Sequence, residues 1–190
     1  MKSYLGFMFT LLCLLCFTLS ISGCFHNGNG GQLPPEIVTG IGEIADERAA
    51  AELAVIKLRM NWKPDGTVYK KGEKLYNDAM VAVNGWIYKF KFEVRAGTTS
   101  PLEEHVKSLE KAAKKSKIFI NYVNRLPETP TAEEGEIVAK GVLEEFGGFL
   151  IDGAFRIWKG LREADREKRE EVIKALDELK WPYFADIQLA

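Results

Sequence analysis

The sequence predicts an all-α fold, a bundle of five to six helices behind a flexible N-terminal tether. Three observations carry this. Apolar residues recur at three- and four-residue spacing over most of the chain from residue 43 onward. Helix start and stop signals divide these runs with short connections, as in a bundle. The 190 residues are 46% hydrophobic and 11% aromatic, enough for one core and too apolar for disorder.

The elements follow in order. Residues 43–60 read as a helix, because Ile44, Arg48, Ala51, Val55 and Leu58 keep helical spacing within an alanine-rich run. Pro64-Asp65-Gly66 is a turn. Across residues 72–95, Leu75, Ala79, Val83, Trp86, Phe90 and Val94 form one helical face, and Val81, Tyr88 and Phe92 a second, narrower stripe. That second stripe needs another element or a partner chain. Residues 88–95 also alternate as a strand would, and Asn84-Gly85 could end a helix before them. The alternative fold is therefore α+β, with strands near 88–95, 117–123 and 184–189.

Ser100-Pro101-Leu102-Glu103 predicts an N-cap, a first-turn proline and a capping-box glutamate for a helix running to about Arg125. Thr131 to Glu134 repeats the capping pattern and opens a helix to about Phe146, interrupted by Gly147-Gly148. Residues 149–161 are apolar nearly all round, which predicts a deeply buried or partner-facing helix. Residues 165–180 form a last amphipathic helix that ends before Pro182.

The N-terminus carries a different signal. Lys2 is the only charge before Glu36, and residues 4–20 are almost wholly apolar. A single positive charge, a short apolar core and small residues after it make a secretory signal peptide. The sequence Ile21-Ser22-Gly23-Cys24 resembles the lipobox of bacterial lipoproteins. The resemblance implies cleavage between Gly23 and Cys24 and acylation of Cys24, and it covers only these 24 residues. The organisation it predicts is a signal peptide at 1–23, a lipidated cysteine and tether at 24–35, and one helical domain at 36–190. The tether is glycine- and asparagine-rich and ends in Pro34-Pro35; at roughly 5–6 Å × √n it holds the domain within about 20 Å of the membrane. The residue after Cys24 is Phe25 rather than Asp, which in a Gram-negative envelope favours the outer membrane.

Composition excludes several chemistries. The net charge is -1, with 26 Lys and Arg against 27 Asp and Glu, so the chain is not a strongly basic nucleic-acid binder. Cys13 and Cys16 lie in the export signal, so their C-x-x-C is not a redox motif, and Cys24 is committed to lipid. His105 has no metal-ligand partner at Glu-x-x-His spacing, and His26 is in the tether, so no metal site or cofactor is expected. The G-x-G-x-x-A at 40–45 lacks the flanking strand and helix of a dinucleotide fold. Ser108 and Lys111 make an S-x-x-K without its companion motifs.

Interaction is better supported than catalysis. Lys107, Lys111, Lys114 and Lys115 gather on one helix, where they could meet anionic lipid or glycan. The glycine-spaced segment containing Phe149, Phe155 and Trp158 is a candidate partner or membrane contact, with Asp152 and Arg156 spaced to pair. Residues 36–126 carry 16 basic and 12 acidic residues, and residues 131–190 carry 9 and 14. The expectation is a lipid-anchored, non-catalytic envelope protein that binds a protein partner. One alternative is a small-ligand or lipid-binding bundle whose aromatic residues line a cavity. Another is a cell-wall hydrolase using Glu144 or Glu145 as a lone general acid.

Overall fold

The computed structural model describes residues 32–127 and 149–189. Among them are five helices, α1 (Pro35–Asn61), α2 (Thr67–Ala96), α3 (Glu103–Asn124), α4 (Phe149–Gly160) and α5 (Arg166–Glu178). A 3-10 turn (Phe184–Asp186) follows, and the described residues contain no strand. The fold is an all-α bundle.

Helix α1 begins well before residue 43. Pro35 occupies its first turn, where a missing N–H costs nothing, and the Pro34 carbonyl accepts from Ile37 N at 2.9 Å and Val38 N at 3.2 Å. The G-x-G-x-x-A run therefore lies inside a helix. Leu33 is buried, so the folded unit starts at Gln32 and takes in the last residues of the expected tether.

Residues 62–66 turn the chain back into α2, closed by Gly66 N donating to Lys63 O at 2.9 Å. Residues 88–95 are the last part of that helix and not a strand. Asn84 does not break it. Its side chain instead reaches the C-terminal segment, donating to Trp181 O at 2.9 Å and accepting from Trp181 N at 2.8 Å. Helix α2 stops at Gly97, whose φ of 71° is open to glycine at little cost. Thr98 N bonds Glu93 O and Gly97 N bonds Val94 O, which satisfies two of the last carbonyls.

Helix α3 includes residues 117–123, the second expected strand of the α+β alternative. Its start also differs from expectation. Leu102 is the N-cap residue, and Ser100 makes no capping bond. The Glu93 carboxylate from α2 reaches Leu102 N at 3.4 Å instead. The capping box fails because a buried acid from a neighbouring helix takes over its role. Helix α5 starts as expected, with Asp165 accepting from Lys168 N at 2.9 Å. The third expected strand, 184–189, is the 3-10 turn and an extended end. Arg59 pins it, donating to the carbonyls of Phe184 and Ile187 and lying 4.5 Å over the Phe184 ring.

Helices α1 and α4 run antiparallel and touch backbone to backbone. A Cβ on Gly40 would lie 2.5 Å from Gly153 O, and one on Gly153 would lie 2.6 Å from Gly40 O. Gly160 packs onto Ile37 in the same way. Only glycine permits this approach. Arg156 pairs with Glu43 across the crossing at 2.8 Å, not with Asp152 as its spacing suggested, and Lys159 lies 3.5 Å from Glu36.

Aromatic stacks fill the core. Trp86 lies against Phe90 at 5.2 Å, and Phe90 against Trp158 at 4.9 Å. Tyr76 meets Phe119 at 5.2 Å and Trp181 at 5.5 Å, and its hydroxyl donates to Pro182 O. The expected helix at 131–146, the Gly147-Gly148 break and Glu144 and Glu145 fall outside the described residues.

Candidate binding surface

Helix α2 places the narrow stripe on the side opposite the core. At 100° per residue, Trp86, Phe90, Val83 and Ala79 point inward, and Val81, Gly85, Tyr88 and Phe92 point the other way. Val81 is 66% exposed, Tyr88 58% and Phe92 52%. The Tyr88 and Phe92 rings meet edge to face at 5.1 Å, so part of the stripe is already organised. A Cβ on Gly85 would touch nothing within 4 Å, which leaves a shallow gap in the middle of the stripe.

Two helices border it. On one side Lys91 pairs with Asp177 of α5 at 2.6 Å, and Arg95 with Glu170 of α5 at 3.1 Å. Hydrogen bonds from Lys180 and Lys91 hold the Asp177 carboxyl below its usual range, and the bond from Arg95 lowers that of Glu170. On the other side Asp78 binds Lys74 at 3.0 Å and lies 3.7 Å from Lys115 of α3, so its carboxyl is also lowered, first by the Lys74 bond. Tyr122 OH donates to Val68 O at 3.0 Å and closes the far end of the α2–α3 contact.

The lysines divide between these surroundings. Lys107 is exposed and pairs with Glu103 at 2.6 Å. Lys111 and Lys114 are exposed and make no ion pair among the described residues. Lys111 and Lys115 point toward the α2 side of α3, and Lys107 and Lys114 point outward. Phe149 is half-buried and Phe155 is 46% exposed. Trp158 is only 1% exposed, so it is a core residue and not a contact. Its position between Phe90 and Phe155, with its N–H donating to Glu93 at 3.1 Å, explains why. Gly23 and Cys24 lie outside the described residues.

Sequence reasoning missed the buried acids. Glu93 collects the Trp158 N–H and Leu102 N, and His105 Nδ1 lies 2.6 Å from it. One carboxylate thus joins α2, α3 and α4. Glu47 is fully buried and accepts a hydrogen bond from the Ser116 hydroxyl. Burial raises its carboxyl pKa, against the opposing effects of Ser116 and the charge of Lys117. Both acids interrupt helical stripes, and such an interruption was the available signal.

Trp86, Phe90, Trp158 and Phe155, four of the aromatic residues a ligand cavity would draw on, pack on one another. Two surface depressions are open hollows, one around Arg166, Glu170 and Lys174, the other around Asp152, Phe155 and Lys159. Among the described residues no three His, Cys, Asp or Glu side chains are grouped to hold a metal. No described helix is long and apolar enough to cross a membrane. No family model, curated protein or solved structure matches the chain.

Proposed function

We propose that the protein is a lipid-anchored component of a bacterial cell envelope, held at the membrane surface through Cys24, whose helical domain works by binding a protein partner. The anchor rests on the lipobox resemblance at residues 21–24. The binding role rests on one observation, the exposed stripe of Val81, Tyr88 and Phe92 on a helix whose other faces are packed. Two aromatic rings and a valine held in water on a rigid helix have no structural need to be apolar, and rigid aromatic residues make effective interface anchors.

The test is affinity purification of the tagged full-length chain from crosslinked envelopes. Wild type should retain a defined protein, and Tyr88→Ser with Phe92→Ser should lose it while far-UV circular dichroism stays unchanged. Retention of that protein by the double variant would remove the stripe from the binding role. Loss of helicity in the variant would assign the stripe to the core.

A further inference from the structure

We propose that one end of the bundle rests on the bilayer that holds Cys24, and that Leu102 is its point of contact with lipid. This rests on the reading of Cys24 as the lipid anchor and adds which surface of the domain meets the membrane.

Contacts between helices define that end. Gly160, in the last turn of α4, packs on Ile37 in the first turn of α1. Trp158, also in the last turn of α4, donates to Glu93 in the last turn of α2. The same carboxylate accepts from Leu102 N at the start of α3. Arg169, in the first turn of α5, lies against Gly97, which ends α2. The first turns of α1, α3 and α5 and the last turns of α2 and α4 therefore share one end. The opposite end is marked by Leu58 against Gly72, Tyr122 bonded to Val68 and Arg59 bonded to Phe184.

The anchored chain enters at the first of these ends. Eight residue steps separate Cys24 from Gln32, where the folded unit begins. They span at most about 29 Å when fully extended. Helix α1 has 27 residues and is about 40 Å long. The connection is thus too short for the bundle to stand on its opposite end. The end that holds Pro35 is the one kept at the surface.

Leu102 points the same way. It is the N-cap residue of α3 and is 59% exposed. N-caps favour side chains with an oxygen to offer, and leucine ranks among the poorest there. Glu93 already meets the Leu102 N–H, and the core does not cover the side chain, so neither capping nor packing calls for leucine. At the tip of the membrane-facing end, such a side chain has a lipid surface to enter. Charge at this end does not select the lipid. Lys159 lies by Glu36, Lys107 by Glu103, Arg95 by Glu170 and Lys168 by Asp165, so bases are matched by acids. The contact should form on zwitterionic lipid as readily as on anionic lipid. The short connection supplies the local concentration, and the α2 stripe is left on the side of the bundle, open to a partner.

The test uses the full-length chain expressed in bacteria, purified from membranes and reconstituted in phosphatidylcholine vesicles, with and without phosphatidylglycerol. Residues 32–190 contain no cysteine, so Ser100→Cys beside Leu102, or Met60→Cys at the opposite end, takes a single fluorophore. Both sites are exposed. A phospholipid with a nitroxide headgroup quenches a fluorophore held at the vesicle surface. Quenching at 100 and little at 60 is expected in both lipids, and adding Leu102→Asp should diminish it with helicity unchanged. Quenching at 60 that equals or exceeds that at 100, or quenching at neither position, would overturn the resting end and leave the anchor standing. Quenching at 100 that requires phosphatidylglycerol, or that survives Leu102→Asp, would remove Leu102 as the point of contact. A mature chain whose mass carries no acyl group would overturn the anchor and the resting end together.

Discussion

Adding a single methyl group at Gly153 should make this protein unfold more easily, although the same change at Gly42 should do the reverse. Gly153 lies inside α4, where replacing glycine with alanine ordinarily gains about 1 kcal/mol through helix propensity. Here the new Cβ would sit 2.6 Å from the Gly40 carbonyl oxygen and 2.9 Å from Ile44 Cγ1. A backbone carbonyl in a helix cannot swing aside as a side-chain tip can. The helices must separate, loosening the contact that also holds the Arg156–Glu43 pair. Overpacking of this kind costs roughly 1–3 kcal/mol, and more where backbone must move. The net expectation is a loss of about 1–2 kcal/mol after the propensity gain, a fall in Tm of a few degrees for a domain of this size. Gly42 supplies the control. It is also inside α1, but a Cβ there meets nothing within 4 Å. Gly42→Ala should therefore gain about 0.5–1 kcal/mol. Urea unfolding followed at 222 nm measures both variants. If Gly153→Ala stabilises as much as Gly42→Ala, the close crossing of α1 and α4 is wrong.

Other outcomes follow from single residues. The Glu47 carboxyl is raised above 4.5 by burial, so its contribution to stability is complete below the unfolded value and is lost as pH rises through the folded value. Glu47→Gln keeps an acceptor for Ser116 without a charge to bury, so its urea midpoint should gain on wild type as pH rises from 4 to about 7; a wild type that gains over that interval would contradict the assignment. Asn84→Ala leaves both the N–H and the carbonyl of Trp181 without their partner and should cost about 1–3 kcal/mol in the same assay, whereas no change would detach the C-terminal segment from α2. Tyr88→Ser, at an exposed site, should shift stability by no more than about 0.5 kcal/mol; a loss several times larger would make Tyr88 a core residue.

The helical architecture was legible because both α2 stripes keep a 3.6-residue period. The strand-like alternation of residues 88–95 arises from Tyr88 and Phe92 facing outward while Phe90 and Val94 face inward. Two opposed helical stripes imitate a strand over eight residues, and the longer inward stripe decides between them. The start of α3 was not legible, since its N-terminus is satisfied by Glu93 from another helix and local capping rules see only neighbours in sequence. Trp158 looked like a contact for a related reason. Its surroundings depend on Phe90 and Glu93, which sit on a helix far away in the chain. Periodicity separated the exposed stripe from the core face without such distant information. It could not show that ion pairs to α3 and α5 border it on either side, because those depend on how the helices pack.

The central claim is that this domain is held at a membrane by lipid on Cys24. The direct measurement is metabolic labelling of bacterial cells with an alkyne fatty acid, comparing the full-length chain with Cys24→Ser. The account predicts label on the wild-type chain, with the signal segment removed, and neither label nor cleavage in the variant. Label retained by Cys24→Ser, or a wild-type chain that takes up none, would contradict it.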